Sequence, residues 1–371
     1  MSTCRVLGDA AVHDILIGLS HAETLEFQDV IKRCLIDFST TKEREYQPSP
    51  GIINRPNGQK TLFRTFTSPD SVGVKIIVHP ASKPGAAQAP LHGILALCDE
   101  NGLPNGLVNA EEVTGYRTSM AAMIPYMWRR RTETVLVFGA GKQAVWHIRL
   151  ILALRGSEIK NITVINRSVS RAEEMLKTIE QDNQEQQWHS GVEFECIDPS
   201  QSDYDQRLTD LLKESDAIFC TVPTKTPLFP AAYLSRPKGE KQPYVSAIGS
   251  WQPDMIELDT ALLKVIVEDR EGYNANGGPG GAIIVDDRDS GLDHAGEVVQ
   301  SKLSAEKLVE LGEILARKQQ GQATDEKLDQ WLQDGFVVYK SVGVSVMDLA
   351  SGNAILSMAA KRELGTSIND F

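Results

Sequence analysis

Thr134-Val135-Leu136-Val137-Phe138 runs straight into Gly139-Ala140-Gly141-Lys142-Gln143-Ala144. A short, unbroken apolar run ending in a glycine turn reads as a buried strand, and residues 142–154 behind it read as a helix. In a G-x-G-x-x-A loop the first glycine permits the tight turn and the second lets the backbone approach a pyrophosphate. The small third residue, here Ala144, lets the helix pack close to the strand, with the phosphates resting on the helix N-terminus. A Walker loop is excluded: Leu136 stands where its first glycine belongs, and Gln143 where Ser or Thr would hold magnesium.

The same alternation continues outward. Ile162–Asn166 reads as a second strand, followed by a helix opened by Ser170. Val192–Cys196, Ala217–Thr221, Tyr244–Ile248 and Val265–Val267 read as further strands. Short, continuously apolar strands alternating with helices imply a parallel sheet covered on both faces, an α/β fold. The end of the second strand then selects the dinucleotide. NAD enzymes place Asp or Glu there to hold the ribose 2′-hydroxyl, and that carboxylate would repel a 2′-phosphate. Here the residues are Asn166-Arg167-Ser168, with Arg171 close behind, a donor set suited to a phosphate. The expected cofactor is NADP(H).

Before the glycine loop the pattern differs. Residues 22–38 place Phe27, Val30, Ile31, Cys34, Leu35 and Phe38 at helical spacing behind a Ser20 cap. Lys60–Phe66, Val72–Val78 and His92–Leu97 read as strands, and residues 111–128 as a helix, so antiparallel strands mix with helices. After the nucleotide pattern come a glycine-rich loop (Gly277–Gly281), a helical stretch at 302–317, a strand at Phe336–Tyr339 and a helical tail from about Val344. The chain from about residue 335 is expected to pass back to the first region. The domains expected are therefore 1–128 with 335–371, and 129–334.

Bulk properties narrow the class. At 371 residues and net charge −12, with scattered basic residues, the chain is expected to bind no nucleic acid. Arg129-Arg130-Arg131 reads as cations at the negative end of a helix dipole. Five cysteines without CxxC spacing fit free thiols in a reducing compartment, and seven histidines without HxxxH or HExxH grouping argue against a metal. No apolar run is long enough for a membrane span, and neither end reads as a signal peptide, lipidation site or retention signal. A cytoplasmic enzyme is expected.

Val113-Thr114-Gly115-Tyr116-Arg117-Thr118-Ser119-Met120-Ala121-Ala122 resembles the "LTALRTAAASA" helix of the ornithine cyclodeaminase/μ-crystallin family. Gly73-Val74-Lys75 is similar to that family's "GVKVV" strand. Ala247-Ile248-Gly249-Ser250 through Pro253 to Glu257-Leu258 resembles its "xIGAxxPxxxEL" run. Ala295-Gly296-Glu297 and Leu311–Leu315 follow in order, and Tyr339-Lys340-Ser341-Val342-Gly343-Val344-Ser345-Val346-Met347-Asp348-Leu349-Ala350 resembles "FKSVGxAxxDLA". The resemblance implies a doubly wound Rossmann sheet inserted into an α+β dimerisation and substrate domain, and a homodimer. It places Thr221, Val222 and Pro223, Ile248 and Gly249, and the Lys340-Ser341-Val342-Gly343 turn around the cofactor.

It also implies chemistry at a C=N bond beside a carboxylate. Arg117 can grip a carboxylate bidentately, and Lys75 can add a second charge or protonate the developing amine; the family's matching Arg and Lys take those roles. The bland alternatives are a helix-surface arginine and a strand-edge lysine. Two departures stand out. Trp251 falls where the cyclodeaminases carry a catalytic Asp, which argues against ornithine cyclisation; it either shapes the substrate pocket or simply packs. Pro50 and Arg64 fall where the family has the Arg of its "PxR" run and the Met of "LFMP". Arg64 and Arg55 are then the candidates for the missing carboxylate ligand, unless the substrate has changed. The expected activity is NADPH-dependent reduction of an imine or ketimine, cyclic ones such as pyrroline- or piperideine-2-carboxylate included. The alternatives are an amino-acid dehydrogenase or cyclodeaminase, and a crystallin-like binding protein without turnover.

Overall fold

The computed structural model describes residues 3–81, 91–189, 191–236, 240–270, 272–319, 325–369 and 371. It divides into two compact units, Met1–Arg117 with Val344–Phe371, and Thr118–Gly343.

The first unit opens with β1 (Thr3–Leu7), α1 (Asp9–Ile17) and α2 (His21–Thr40). Helix α2 starts where Ser20 and Glu23 form a capping box, and it buries Phe27, Ile31, Leu35 and Phe38 on one stripe. Then come β2 (Gly51–Asn54), β3 (Lys60–Thr67), β4 (Ser71–His79), β5 (His92–Asp99) and β6 (Pro104–Asn109), leading into α3 (Ala110–Tyr126). The strands form a seven-stranded mixed sheet completed by the last strand of the chain. Pairing sets Arg64 opposite Lys75 and Lys75 opposite Leu95. Because side chains alternate across a sheet, these residues share one face, and Phe63, Ile76 and Ile94 share the other.

The second unit holds β7 (Thr134–Phe138), α4 (Lys142–Arg155), β8 (Asn161–Ile165), α5 (Val169–Gln186), β9 (Glu193–Ile197), α6 (Tyr204–Glu214), β10 (Ala217–Cys220) and β11 (Tyr244–Ala247). It continues with α7 (Thr260–Glu268), β12 (Ile283–Val285), α8 (Arg288–His294), α9 (Gly296–Ser301), β13 (Leu308–Glu310), α10 (Leu311–Gln319), α11 (Glu326–Asp334) and β14 (Val337–Lys340). All eight strands run parallel in the order β13-β12-β14-β11-β10-β7-β8-β9. The order reverses between β7 and β10, so the carboxyl ends of these two strands flank the switch point where such sheets bind ligands. The chain then returns to the first unit as α12 (Ser345–Lys361) and β15 (Thr366–Asn369).

The sequence expectations need correction at four places. Both domain boundaries move: β14 pairs with β11 and β12 in the parallel sheet, so residues 335–343 belong to the second unit, and Thr118–Tyr126 of α3 group with it too. Val265–Val267 is not a strand but the end of α7, where Val265 is 65% exposed while Leu262, Leu263, Ile266 and Val267 are buried. That helical period, with Asp259 accepting from the Ala261 amide, overrides the β-branched composition. The stretch 302–317 is likewise broken: Lys302 is left-handed, β13 pairs with β12, and only then does α10 begin. Arg129, finally, serves not the end of α3 that it follows but the end of α11: it is buried and donates to the carbonyls of Leu332 and Gly335, and to that of Gln242.

Candidate functional site

In the first unit the sheet, α3 and α12 contribute one charged cluster. Lys75 lies mid-strand in β4, Arg117 on α3, and Asp348 in the first turn of α12. Lys75 Nζ stands 2.6 Å from Asp348 Oδ2, and Arg117 Nε donates to Asp348 Oδ1 at 3.0 Å. Lys75 is 1% exposed and Asp348 fully buried, so neither bland alternative, surface arginine or edge lysine, describes these residues. Burial pushes the Lys75 ammonium down to about 7; the Asp348 carboxylate pulls it up, while Arg117 and Arg64 push it lower. Burial alone would raise the Asp348 carboxyl, but the Arg117 and Lys75 charges outweigh it and hold it below its ordinary value.

The cluster has spare binding capacity. Arg117 Nη1 is buried and has no hydrogen-bond partner among the described residues, a costly arrangement unless a ligand takes it. Arg64, partly buried opposite Lys75, adds its field to the same place. Arg55 does not join them: it is exposed in the β2–β3 turn, beyond the Lys60 end of the hairpin. Lys60 and Arg64 are themselves separated by about 13 Å of strand.

In the second unit the loop after β7 has the shape its glycines imply. Gly139 has φ +110°, and a Cβ there would meet Thr221 Oγ1 at 2.6 Å. Around Gly141 a Cβ would meet nothing within 4 Å, and no side chain caps α4 at its start. The open space before a helix N-terminus fits a dinucleotide pyrophosphate at Gly139–Ala144. At the end of β8, Asn166 Nδ2 donates to the Ser168 carbonyl, and Arg167, Ser168 and Arg171 are exposed. Ser168, not Ser170, precedes α5, and the two hydroxyls lie 3.3 Å apart.

The loops after β10, β11 and β14 are laced by buried carboxylates. Glu257 Oε1 accepts from the Val222 amide at 2.7 Å, and its Oε2 from the Gly249 and Ser250 amides at 2.6 and 3.2 Å. Burial is the main cause that raises the Glu257 carboxyl to about 8. A Cβ on Gly249 would meet the Val222 carbonyl at 2.5 Å, so the two loops touch backbone to backbone. Thr221 Oγ1 donates to the Phe138 carbonyl, and Lys340 Nζ donates to Ser250 Oγ, which in turn donates to Glu297. Asp286 accepts from the Ser341 hydroxyl and from the Val342 and Gly343 amides. Pro223 is exposed, and Ile248 and Trp251 are half-buried on these loops.

Sequence reasoning passed over Asp348, Glu257, Glu297 and Asp286. The signal was present for the first three, an acidic residue between apolar neighbours as in Met347-Asp348-Leu349, whereas Asp286 runs directly into Asp287-Arg288-Asp289 and carries none. Buried carboxylates without partners are rare enough that such a position asks for one.

A family model, the ornithine cyclodeaminase/mu-crystallin family, matches residues 23–363. The chain belongs to that family. The Dictyostelium discoideum member named as an uncharacterized cyclodeaminase is 28% identical over 347 residues, covering 88% of this chain and 87% of its own. A delta(1)-pyrroline-2-carboxylate reductase of Bacillus cereus is 23% identical over 337 residues, covering 88% and 90%. Among solved structures, the Thermococcus litoralis delta(1)-pyrroline-2-carboxylate reductase in complex with NADH and L-proline superposes with a TM-score of 0.72 at 16% identity, covering 98% of this chain and all of its own. The family's Rossmann-type α/β fold is thus the fold of this chain.

Proposed function

We propose that the protein reduces the C=N bond of an imine or ketimine beside a carboxylate, using NADPH. The observation that carries this reading is the buried Arg117 Nη1 beside Lys75, left without a hydrogen-bond partner among the described residues while Asp348 is shared between the two cations. Arg117 and Arg64 hold the substrate carboxylate, which fixes the face of the imine carbon. Lys75, with its ammonium held near neutrality, protonates the developing amine nitrogen. Run backwards, the same group accepts a proton from an amino acid, so the cluster serves either direction. Trp251 supplies no carboxylate of its own, in keeping with reduction and not with ammonia loss.

The second unit would hold the dinucleotide at Gly139–Ala144, with the loops of Val222, Gly249 and Lys340–Gly343 framing its far end. When bound, the nicotinamide supplies or accepts the hydride. Asn166, Arg167, Ser168 and Arg171 receive a 2′-phosphate, and no carboxylate stands among them. The relatives named above include proteins called pyrroline-2-carboxylate reductases, which fits a cyclic imine substrate.

The protein is also proposed to work as a homodimer in the cytoplasm. Ile53, Phe63, Ile94 and Leu107 are 48%, 36%, 45% and 38% exposed and share the sheet face opposite Lys75. An apolar face of this kind marks an interaction surface, and a second copy would bury it. Light scattering on a sizing column tests this: a monomer at micromolar concentration overturns it. The activity is tested by following NADPH absorbance with cyclic ketimines such as pyrroline- and piperideine-2-carboxylate. Tight NADPH binding without turnover on any imine would instead establish a binding protein, and a tenfold preference for NADH would overturn the 2′-phosphate reading.

A further inference from the structure

Asp348 deepens the reading just given, on which this inference rests. It enters from α12, at the far end of the chain from Lys75 and Arg117, and is fully buried. Its two oxygens are divided: Oδ2 faces Lys75 Nζ at 2.6 Å and Oδ1 accepts from Arg117 Nε at 3.0 Å. Arg117 is therefore held by the nitrogen nearest its stem, and the buried Nη1 at its head is left without a partner among the described residues. A guanidinium tethered at Nε, with a buried Nη1 that no described residue takes, keeps a donor for an incoming carboxylate.

The groups facing Lys75 come from every neighbouring element. Arg64 stands opposite on β3, and Thr114 Oγ1 lies 3.5 Å away on α3 beside Arg117. Leu95 is the apolar partner on β5. The Cys34 thiol of α2 also senses Asp348 and Arg117, and burial keeps it protonated. Among these groups Asp348 alone favours the charged lysine; burial, Arg117 and Arg64 oppose it.

We infer that Asp348 is the positioning residue of the reaction, setting the Lys75 ammonium and the Arg117 guanidinium in place from one carboxylate so that each keeps its free donors for the substrate. Asp348 does not touch the substrate; it acts through the other two. The C-terminal helix thereby supplies the counter-charge without which two buried cations and Arg64 would repel one another and the lysine would lose its proton.

The test is Asp348→Asn, which keeps the shape and removes the charge, with Asp348→Glu as the charge-keeping control. In the variant the basic limb of reductive kcat/KM moves to lower pH, because the one group that raises Lys75 is gone. At pH 7.5, kcat/KM falls about 10- to 100-fold, the size seen when a residue orienting an active group is removed. Part of the loss appears in KM, because Arg117 is no longer tethered. Asp348→Glu restores the position of the limb even where the rate stays low. NADPH affinity, measured by fluorescence titration, is unchanged.

A second readout needs no turnover. Protein labelled with 13C at the lysine ε-carbon reports the titration of Lys75, assigned by its loss in Lys75→Arg. The midpoint near 7 in the unaltered chain drops in Asp348→Asn. If the wild-type protein reduces no imine but this midpoint still drops, the proposed activity fails and the role of Asp348 stands. A limb and midpoint unmoved by Asp348→Asn, with kcat/KM within twofold, overturn it. A variant too unstable to purify leaves Asp348→Glu to decide: a limb displaced despite the retained charge also overturns the inference.

Discussion

On the proposed reading, the two units bind an anion in opposite ways. The first gathers full charges: Lys75 and Arg117 share the buried Asp348 carboxylate, and Arg64 stands opposite Lys75. The second uses backbone. Its loop holds a φ of +110° at Gly139, open space at Gly141 and an uncapped helix start, while its charged residues, Glu257, Asp286 and Lys340, face inward to hold loops in place. Charge on side chains can be titrated and can move a proton; backbone amides cannot. That difference suits the proposed division, in which a substrate changes protonation in one unit and a cofactor is only held in the other.

The comparison breaks most easily at Arg117. Removing one partner of a buried, hydrogen-bonded charge cluster costs about 2–5 kcal/mol. Arg117→Met is therefore expected to lower kcat/KM for imine reduction by about 30- to 3000-fold at 1.4 kcal/mol per tenfold. NADPH affinity should stay within twofold, because the guanidinium serves the carboxylate only. A parallel loss in both would show the division of labour to be wrong.

Gly139→Ala attacks the other side. The new Cβ meets Thr221 Oγ1 at 2.6 Å in a backbone conformation that disfavours it. With strain of about 1–3 kcal/mol, dinucleotide affinity should fall roughly 5- to 140-fold at about 1.4 kcal/mol per tenfold. Binding of proline or another small carboxylate, followed by calorimetry, should not change.

Arg167→Ala sharpens the comparison, since this guanidinium is the charged exception within a backbone site. Exposed and screened, it is worth about 1.5 kcal/mol, so NADPH binds about tenfold more weakly and NADH as before. Equal weakening of both would place Arg167 away from the 2′-phosphate.

The smallest effect concerns Glu257. Its carboxyl titrates near 8 in the folded protein against 4.5 ordinarily. As pH rises through that window the unfolded chain gives up the proton first, so stability falls; the stabilisation is fully present only below about 4.5. Glu257→Gln cannot titrate. Its melting temperature should therefore improve relative to the unaltered protein between about pH 5 and 8. A constant difference would mean that Glu257 is ionised throughout.

What could be read along the chain was whatever is local. The nucleotide loop is contiguous, and strand, glycine turn, helix and second strand follow in order, so the Gly139–Ala144 turn and the strand that ends before Asn166 were legible from residue type alone. Lys75 and Arg117 were legible through resemblance, not spacing. The sequence names both Arg64 and Arg55 at the arginine departure; strand register sets Arg64 opposite Lys75 and leaves Arg55 in the exposed turn, which is why the proposal takes Arg64. Register is a pairing property, and a one-residue slip would have moved Arg64 to the other face.

The rest lay outside local reading because its partners are distant in sequence. Val337–Lys340 looks like any short apolar strand; only its pairing with β11 and β12 shows that the parallel sheet extends to it, moving the boundary from 335 to 343. Asp348 is 231 residues from Arg117, yet the two share a hydrogen bond. Residue order was enough for an α/β chain with a dinucleotide loop, because those features depend on neighbours along the backbone. Tertiary structure decided which carboxylate answers Lys75 and Arg117, because a buried charge chooses its partner by proximity in space.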